Sequence, residues 1–254
     1  MSTIPVREGA EPYSAPGGPH GALVLHGFTG SPRSMRGLAQ AFAAAGFAVE
    51  LPRLPGHGTS IDDMATTSWS DWSAAVEAAY SELAARCDRV VVVGLSMGGT
   101  LTCWLAARHA EIAGIVVVNG GLEGDPDGSL LAMVDELLAG GTTTMPAVGN
   151  DIAAPGVDEL AYDAVPVQPL RSLIVALNDL QSHLGDIRCP VLILSSPQDH
   201  VVNPTASDHL QASVGGPVEW VSLDRSYHVA TLDYDKELIE ARAVDFARRV
   251  TGVQ

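Results

Sequence analysis

The stretch "VVVVGLSMGGTLTCWLAARHA", residues 90–110, contains a strand, a sharp turn and a helix in immediate succession. Its four consecutive valines lack polar alternation, which is typical of a strand buried on both faces of a parallel sheet. The segment from residue 100 onward predicts a helix. Between them, "GLSMG" has the G-x-S-x-G pattern, in which Gly94 and Gly98 let the two backbones approach closely. The stretch therefore predicts that Ser96 lies exposed at the carboxyl end of a strand.

Similar apolar runs recur along the chain and alternate with helical patterns. The predicted strands are "ALVLH" (22–26), "VVVVGL" (90–95), "GIVVVN" (114–119), "VLILSS" (191–196), "VEWVSL" (218–223) and, more weakly, "FAVELP" (47–52). The first two predicted helices are "SMRGLAQAFAAAG" (34–46) and "SWSDWSAAVEAAYSELAARC" (68–87). This alternation predicts an α/β protein with a mostly parallel central sheet flanked by helices, and an active site at the carboxyl ends of the strands.

One long interval breaks the alternation. Between residues 121 and 186 no strand is evident, but "LLAMVDELL" (130–138) and "PLRSLIVALNDLQSHL" (169–184) have helical spacing. We predict a core of residues 1–120 and 187–254 with this α/β architecture, and an inserted cap or lid at 121–186. The alternative is an ordinary crossover helix with a long loop, although structureless loops of this length are uncommon in compact domains.

Composition excludes several classes of function. The net charge of −16 would repel nucleic acids and anionic lipid surfaces. The longest apolar runs are too short to cross a bilayer, and the first residues show no secretory signal, so we expect a cytoplasmic protein. The three cysteines form no C-x-x-C pair, which predicts buried free thiols rather than disulfides or a zinc site. We expect no nucleic acid partner, no metal and no organic cofactor.

A serine nucleophile needs a general base, and the base needs an acid that orients it. Asp199 follows the predicted strand 191–196, and His228 follows the predicted strand 218–223. Both would therefore lie at the edge of the sheet that carries Ser96. The chain order Ser96, Asp199, His228 is the one expected for nucleophile, acid and base in such a fold.

Other residues could fill these roles. His200, next to Asp199, is an alternative base, but the separate loop after the last strand suits the base better. Asp224 and Asp233 flank His228 and are alternative acids. We interpret both as surface or capping groups.

Two backbone amides could stabilise the negative charge that develops on an attacked carbonyl oxygen. One is the amide of Met97, directly after the serine. The other is the amide of Phe28 in "HGFTG" (26–30), the turn after the first predicted strand, which His26 could brace. Alone, this turn could be an ordinary glycine-rich connection. His57, in the loop "LPRLPGHG", is interpreted as a second brace.

Together these motifs resemble a known family. "HGFTGSP", "LPRLPGHGT", "GLSMGGTLT", "DHVVNP" and "SYHVATLDYD" are similar to those of α/β-hydrolase carboxylesterases, and most closely to those of bacterial monoacylglycerol lipases. The likeness runs from residue 9 to the final helix and departs clearly only near residues 122–145. The resemblance implies Ser96 as nucleophile, Asp199 as acid, His228 as base, and an oxyanion hole formed by the amides of Phe28 and Met97.

The resemblance extends into the insertion. In these lipases the cap supplies an apolar acyl tunnel and a small polar pocket for glycerol, and "VGNDIAAPGVDELAYD" (148–163) is similar to their cap. Glu159 is thereby implied as a contact of a glycerol hydroxyl, with Val148 on the pocket wall. Without the resemblance, Glu159 would be interpreted as a solvated helix residue.

The predicted function is hydrolysis of carboxylic esters, in particular of monoacylglycerols to glycerol and free fatty acid. The partner is then a small lipid ester, with transient contact between the cap and a lipid surface, while acyl-chain preference and oligomeric state stay open. The alternatives are a general short-chain carboxylesterase, or a thioesterase or acyltransferase with the same triad. A non-catalytic binding protein does not require a triad. Serine at the nucleophile position disfavours dehalogenases and epoxide hydrolases.

Overall fold

The computed structural model describes residues 4–252. Seven strands form the main sheet in the order β1-β3-β2-β4-β5-β8-β9, and all neighbouring strands are parallel except β1, which pairs antiparallel with β3. The strands are β1 Tyr13–Ala15, β2 His20–Leu25, β3 Ala48–Leu51, β4 Arg89–Leu95, β5 Gly114–Val118, β6 Thr144–Pro146, β7 Ala164–Pro166, β8 Val191–Ser195 and β9 Val218–Ser222. All six predicted strands are confirmed. The edge strand β1 was missed because three residues are too few to show a period.

Helices cover both faces of the sheet. They are α1 Arg36–Ala44, α2 Ile61–Met64, α3 Trp69–Ala84, α4 Met97–Ala106, α5 Ser129–Ala139, α6 Val167–Gln181, α7 Thr205–Ser213 and α8 Lys236–Thr251. Helices α1 and α8 pack on one face, and α3, α4 and α7 pack on the other. Both predicted N-terminal helices are confirmed. Ser68 and Asp71 form a capping box at the start of α3, and Gly46 follows α1 with a φ of +93°.

The valine run of β4 shows why this strand has no polar alternation. Val90 and Val92 pack toward α3 and α4, whereas Val91 and Val93 pack toward α1 and α8. Both faces of the strand are therefore buried, and a polar residue on either side would lose its hydration.

The strand register aligns the carboxyl ends of the central strands. The paired residues near these ends are Leu25 with Gly94, Leu95 with Val118, Val118 with Leu194, and Ser195 with Ser222. The residues that follow each strand therefore meet at one edge. This edge carries Ser96, Asp199 and His228.

Residues 121–186, called the insertion below, lie between β5 and β8. The two helices predicted there are confirmed as α5 and α6. The insertion also contains a two-stranded antiparallel hairpin, β6–β7, which the prediction of no strand missed. Each of its strands has three residues and ends in proline, so no alternating pattern could develop. The division into a core and a separate cap stays a prediction.

Two further features bear on the predicted classes of function. Within residues 4–252, no helix combines the length and the apolar character needed to cross a membrane. Cys87, Cys103 and Cys189 are free thiols, and the predicted burial is confirmed for Cys103 but wrong for Cys87 and Cys189, which are half-buried. Cys103 is buried in the core, and burial raises the pKa of its thiol well above the usual value.

Candidate active site

Ser96 occupies a strained turn between β4 and α4. Its φ of 57° and ψ of −121° lie where residues other than glycine are rare, and its amide donates to Val118 O at 3.0 Å. A Cβ on Gly94 would lie 2.0 Å from Gly98 O, and a Cβ on Gly98 would lie 2.3 Å from Leu25 O. Both glycines are therefore required by the close approach of the backbones, which explains the G-x-S-x-G spacing.

The side chains of His228 and Asp199 form a buried pair. His228 Nδ1 lies 2.7 Å from Asp199 Oδ2, and the other carboxylate oxygen accepts hydrogen bonds from the amides of Val201 and Val202, both at 2.8 Å. Both oxygens of the carboxylate are thus held in place, one by two backbone amides and the other by the imidazole. A proton on Nδ1 leaves Nε2 of the neutral ring as the acceptor that a general base needs.

Ser96 and His228 line one cavity of about 320 Å³, together with Phe28 and Met97. No hydrogen bond joins the side chains of Ser96 and His228 within residues 4–252, and such contacts commonly tighten only when substrate is bound. Neither the Phe28 amide nor the Met97 amide donates to another group of the described chain. Both amides therefore keep an unused donor, and both residues line the cavity.

Two buried histidines support the turn that carries Phe28. His26 Nδ1 lies 3.0 Å from Gly27 O, and its Nε2 accepts from the Leu54 amide at 3.1 Å. His57 Nδ1 lies 2.9 Å from Pro55 O, and its ring packs edge-on against His26 and Phe28. Burial is the main reason why the pKa of His26 falls to about 3 and that of His57 to about 4. Both rings are neutral near pH 7, and the bracing role predicted for them is confirmed.

Glu159 lies in a loop of the insertion and lines the same cavity. The interpretation of this residue as a solvated helix residue is therefore wrong, since only 9% of its surface is exposed. Burial, reinforced by the charges of Asp158 and Asp151 and opposed by His228, raises its pKa to about 7. Its backbone is fixed by a hydrogen bond of 2.9 Å from the Glu159 amide to Asn150 Oδ1.

The remaining wall of the cavity is largely apolar. Val148 lies at its rim, with 69% of its surface exposed. Helices α5 and α6 and strand β7 of the insertion contribute the side chains of Leu130, Val165, Leu170, Leu173, Ile174 and Leu177. The titratable side chains among the lining residues described are Glu159, Tyr162 and His228, and Glu159 is the one carboxyl group among them. The cavity thus combines one carboxyl group with a long hydrocarbon surface.

Asn119 is a site residue that sequence reasoning missed. It ends the predicted strand 114–119 with a φ of 44°, and its Nδ2 donates to His228 O at 2.8 Å and to Ser196 Oγ at 3.0 Å. Its Oδ1 accepts from the Ser196 amide at 2.7 Å. A polar residue at the carboxyl end of a buried strand was the signal that could have found it.

The two aspartates near His228 differ from one another. Asp224 is exposed, as predicted. Asp233 is 1% exposed, so of the two roles predicted for it, surface group or capping group, the capping role is the one confirmed. Its carboxylate accepts from the amides of Ala153, Ala154, Tyr227 and Tyr234 at 2.7–2.9 Å. Four amide donors offset the cost of burying the charge.

The alternative base, His200, lies outside the set of residues that line the cavity of Ser96. Its side chain is 56% exposed, and its Nδ1 lies 2.8 Å from Asp151 Oδ1. Asp151 belongs to the insertion and also accepts from the amides of His200 and His228. Sequence reasoning missed Asp151, because its partners lie 49 and 77 residues away along the chain.

The chain was compared with known proteins and solved structures. Residues 22–241 match the alpha/beta hydrolase family. The chain is 43% identical to a thermostable monoacylglycerol lipase of Bacillus sp. (strain H-257) over 251 residues, which cover 98% of each chain. It is 22% identical to a carboxylesterase of Bacillus subtilis (strain 168), over 94% of this chain and 97% of that one.

Solved structures agree with this result. A structure described under the metagenome-derived lipolytic enzymes LipS and LipT has a TM-score of 0.91 and 44% identity, covering 96% of this chain and 100% of that chain. The monoacylglycerol lipase of Paleococcus ferrophilus has a TM-score of 0.77 at 22% identity, covering 94% and 99% of the two chains. The second similarity shows the fold alone.

Proposed function

Because the chain belongs to the alpha/beta hydrolase family, we propose that it cleaves carboxylic esters, in particular monoacylglycerols, through an acyl-enzyme on Ser96. One observation carries this proposal: the cavity that Ser96 lines is also lined by His228, by Phe28 and Met97, whose amides have no acceptor among the described residues, and by an apolar wall with one carboxyl group. The likeness to a monoacylglycerol lipase over 98% of the chain supports the substrate class.

In the first half of the reaction, Ser96 Oγ attacks the ester carbonyl while His228 Nε2 accepts its proton. Asp199 holds the imidazole by its Nδ1 hydrogen and stabilises the imidazolium that forms. The amides of Phe28 and Met97 donate to the oxyanion, which is the largest source of stabilisation in such sites. His228 then donates the proton to the departing alcohol oxygen, and the acyl group stays on Ser96.

In the second half, water takes the place of the alcohol. His228 accepts a proton from the water as it attacks the acyl carbonyl, and the same two amides hold the second oxyanion. Collapse of this intermediate returns the proton from His228 to Ser96 Oγ and releases the fatty acid. These steps use only groups of the chain and water.

The two ends of the cavity suit the two parts of a monoacylglycerol. The apolar wall from the insertion accommodates one acyl chain, whose transfer from water is favourable in proportion to the buried area. Glu159 is the proposed contact of the glycerol hydroxyls, with Val148 at the rim beside them. A pKa of about 7 lets Glu159 donate or accept a hydrogen bond near neutral pH. In this proposal the insertion acts as a cap.

The deciding experiment is fatty acid release from mono-, di- and triacylglycerols of matched acyl chain and from a short aryl ester, with Ser96→Ala as the blank. We expect strong preference for the monoacylglycerol, since the cavity of about 320 Å³ holds a single chain. Fast aryl ester cleavage with negligible monoacylglycerol turnover would instead identify a general carboxylesterase. The likeness to the Bacillus subtilis carboxylesterase makes that the second candidate.

The insertion also offers a surface for transient contact with lipid. Leu130, Met133 and Val148 are exposed apolar side chains of this segment. A net charge of −16 favours uncharged over anionic lipid surfaces. Co-sedimentation with phosphatidylcholine vesicles should weaken for Met133→Glu compared with wild type, while cleavage of a soluble aryl ester is unchanged. Equal co-sedimentation of the two proteins would contradict this contact.

A further inference from the structure

One carboxylate of the insertion joins the loops that carry the acid and the base. Asp151 Oδ2 accepts hydrogen bonds from the His228 amide at 3.0 Å and from the His200 amide at 3.2 Å. Asp151 Oδ1 lies 2.8 Å from His200 Nδ1, and Asp151 O accepts from the Val229 amide at 3.1 Å. The residue therefore contacts the histidine that follows Asp199 and the backbone of His228 at the same time.

This geometry bears directly on the distance between acid and base. Asp199 and His200 are consecutive, so fixing the His200 backbone also fixes the origin of the Asp199 side chain. From these contacts we infer that Asp151 is a positioning residue, which sets the separation of Asp199 and His228 and links it to the insertion. The inference rests on the proposed function and deepens it.

Asp151 is itself held in place from the other side. Asp233, in the loop that contains His228, accepts hydrogen bonds from the amides of Ala153 and Ala154. The same carboxylate oxygen that binds Ala153 also accepts from the Tyr227 amide at 2.9 Å. Asp151 of the insertion thus accepts from an amide of the His228 loop, and Asp233 of the His228 loop accepts from amides of the insertion.

A carboxylate suits this position better than other acceptors. Three donors meet its two oxygens, and the side chain is 10% exposed. Burial alone would raise the pKa of Asp151, but the hydrogen bonds from His200 and from the His228 amide outweigh it and hold the pKa below its usual value. The group is therefore ionised at neutral pH, and its hydrogen bonds are charge-assisted.

The test compares Asp151→Ala with Asp163→Ala. Asp163 is an exposed aspartate of the same insertion. We expect Asp151→Ala to lower kcat about 10- to 100-fold, on both a monoacylglycerol and a short aryl ester, because an ångström of misplacement in a catalytic group costs up to about a hundredfold. KM should stay within about threefold of wild type, since Asp151 does not line the cavity.

The conservative variant separates positioning from a general structural effect. Asp151→Asn keeps one oxygen that can accept from both amides, so it should restore kcat to within about fivefold of wild type. Asp163→Ala should match wild type throughout. A kcat for Asp151→Ala within twofold of Asp163→Ala would overturn the inference, and so would a loss confined to KM.

If Asp151→Ala does not fold, Asp151→Glu tests the positioning role instead. It keeps the charge but moves the oxygens by one methylene group, so kcat should fall at least about fivefold with KM unchanged. A kcat within twofold of Asp163→Glu would overturn the inference. Ser96→Ala is measured beside these variants: if it matches wild type, the proposed function fails, whereas normal kcat in the Asp151 variants alone removes only the positioning role.

Discussion

Ser96 and Glu159 line the same cavity but are held in very different ways. Ser96 follows a strand that is paired on both sides, with its turn packed against backbone at distances that exclude even a Cβ. Glu159 lies in a loop of the insertion, outside the helices and strands, and its amide donates to Asn150 Oδ1 of the same loop. The two regions therefore differ in what holds the backbone, which is close strand and helix packing at Ser96 and a side-chain hydrogen bond within a loop at Glu159.

The two regions are proposed to have different roles, catalysis at the sheet edge and substrate recognition in the insertion. Groups that must keep fixed geometry, namely the proposed nucleophile, acid and base, lie at strand ends in a large shared core. The groups proposed to recognise the substrate lie in a loop of the insertion, and loops tolerate sequence change better than the elements they connect. Replacing a catalytic group at the sheet edge should thus lower turnover of every ester, whereas replacing Glu159 should alter the choice of substrate.

The largest expected effect is that of Ser96→Ala. Without the hydroxyl no acyl-enzyme can form, so turnover of every ester should fall about 10⁵- to 10⁶-fold. The measurement is initial-rate fatty acid release, with urea unfolding as a check that the fold is intact. Preserved turnover of any ester would contradict the comparison, because the nucleophile would then not be Ser96 at the sheet edge.

Asp199→Asn should have the next largest effect. An amide at this position favours the tautomer of His228 that cannot accept the serine proton, and the expected loss in kcat is about 10⁴-fold. Oδ1 of the asparagine can still accept from the Val201 and Val202 amides. The loop should therefore stay in place, which a crystal structure of the variant would verify. Asp224→Asn, an exposed aspartate near the same site, is the matched control and should retain full kcat.

Glu159→Ala should act on one substrate class only. We expect kcat/KM for a monoacylglycerol to fall about 10- to 100-fold, the value of one or two charge-assisted hydrogen bonds, with little change for an aryl ester. Equal losses on both esters would count against a glycerol contact. Glu136→Gln, an exposed residue of α5, is the control and should leave both values unchanged.

The ionisation of Glu159 sharpens this prediction. Since its pKa is about 7, the carboxylate form dominates above that pH and offers two acceptor oxygens to the glycerol hydroxyls. KM for a monoacylglycerol should therefore decrease between pH 6 and pH 8. Glu159→Gln cannot ionise, and its KM should not show this decrease.

The smallest predicted effect concerns the brace beneath Phe28. His57 has a pKa of about 4 in the native protein and 6.5 in the unfolded chain. Between these values the unfolded chain binds a proton that the native protein does not, so the free energy of unfolding falls as the pH drops below 6.5. At pH 5 the extra proton on the unfolded chain lowers the free energy of unfolding by about 2 kcal/mol relative to pH 7.5.

Urea unfolding at pH 7.5 and pH 5 tests this stability effect. In His57→Gln the change in the free energy of unfolding between pH 7.5 and pH 5 should be smaller by about 2 kcal/mol than in wild type, because glutamine does not titrate. His183→Gln, at a histidine whose side chain is 45% exposed, should show the same change in the free energy of unfolding between the two pH values as wild type. An unchanged difference in His57→Gln would show that His57 is not kept neutral by burial.

Sequence alone predicted the sheet, because valine-rich runs buried on both faces leave a clear local pattern. It also predicted that Ser96, Asp199 and His228 would meet at one edge, since parallel strands align their carboxyl ends. It did not predict Asp151 or the burial of Asp233, whose contacts join segments about 80 residues apart. Nothing in their local sequence distinguishes them from surface aspartates. The short strands β1, β6 and β7 were missed because three residues carry no period.

The hydrogen bonds of Asp151 and Asp233 limit how the insertion can be exchanged between related hydrolases. A chimera that took its insertion from a related hydrolase would remove Asp151 and leave the His228 and His200 amides without their acceptor, while Asp233 would lose the Ala153 and Ala154 amides. Crossover points at the predicted boundaries, residues 120/121 and 186/187, would therefore remove contacts of the recipient's catalytic loops even if both parts folded. A transplanted segment would have to carry its own aspartate into register with the recipient's catalytic loops.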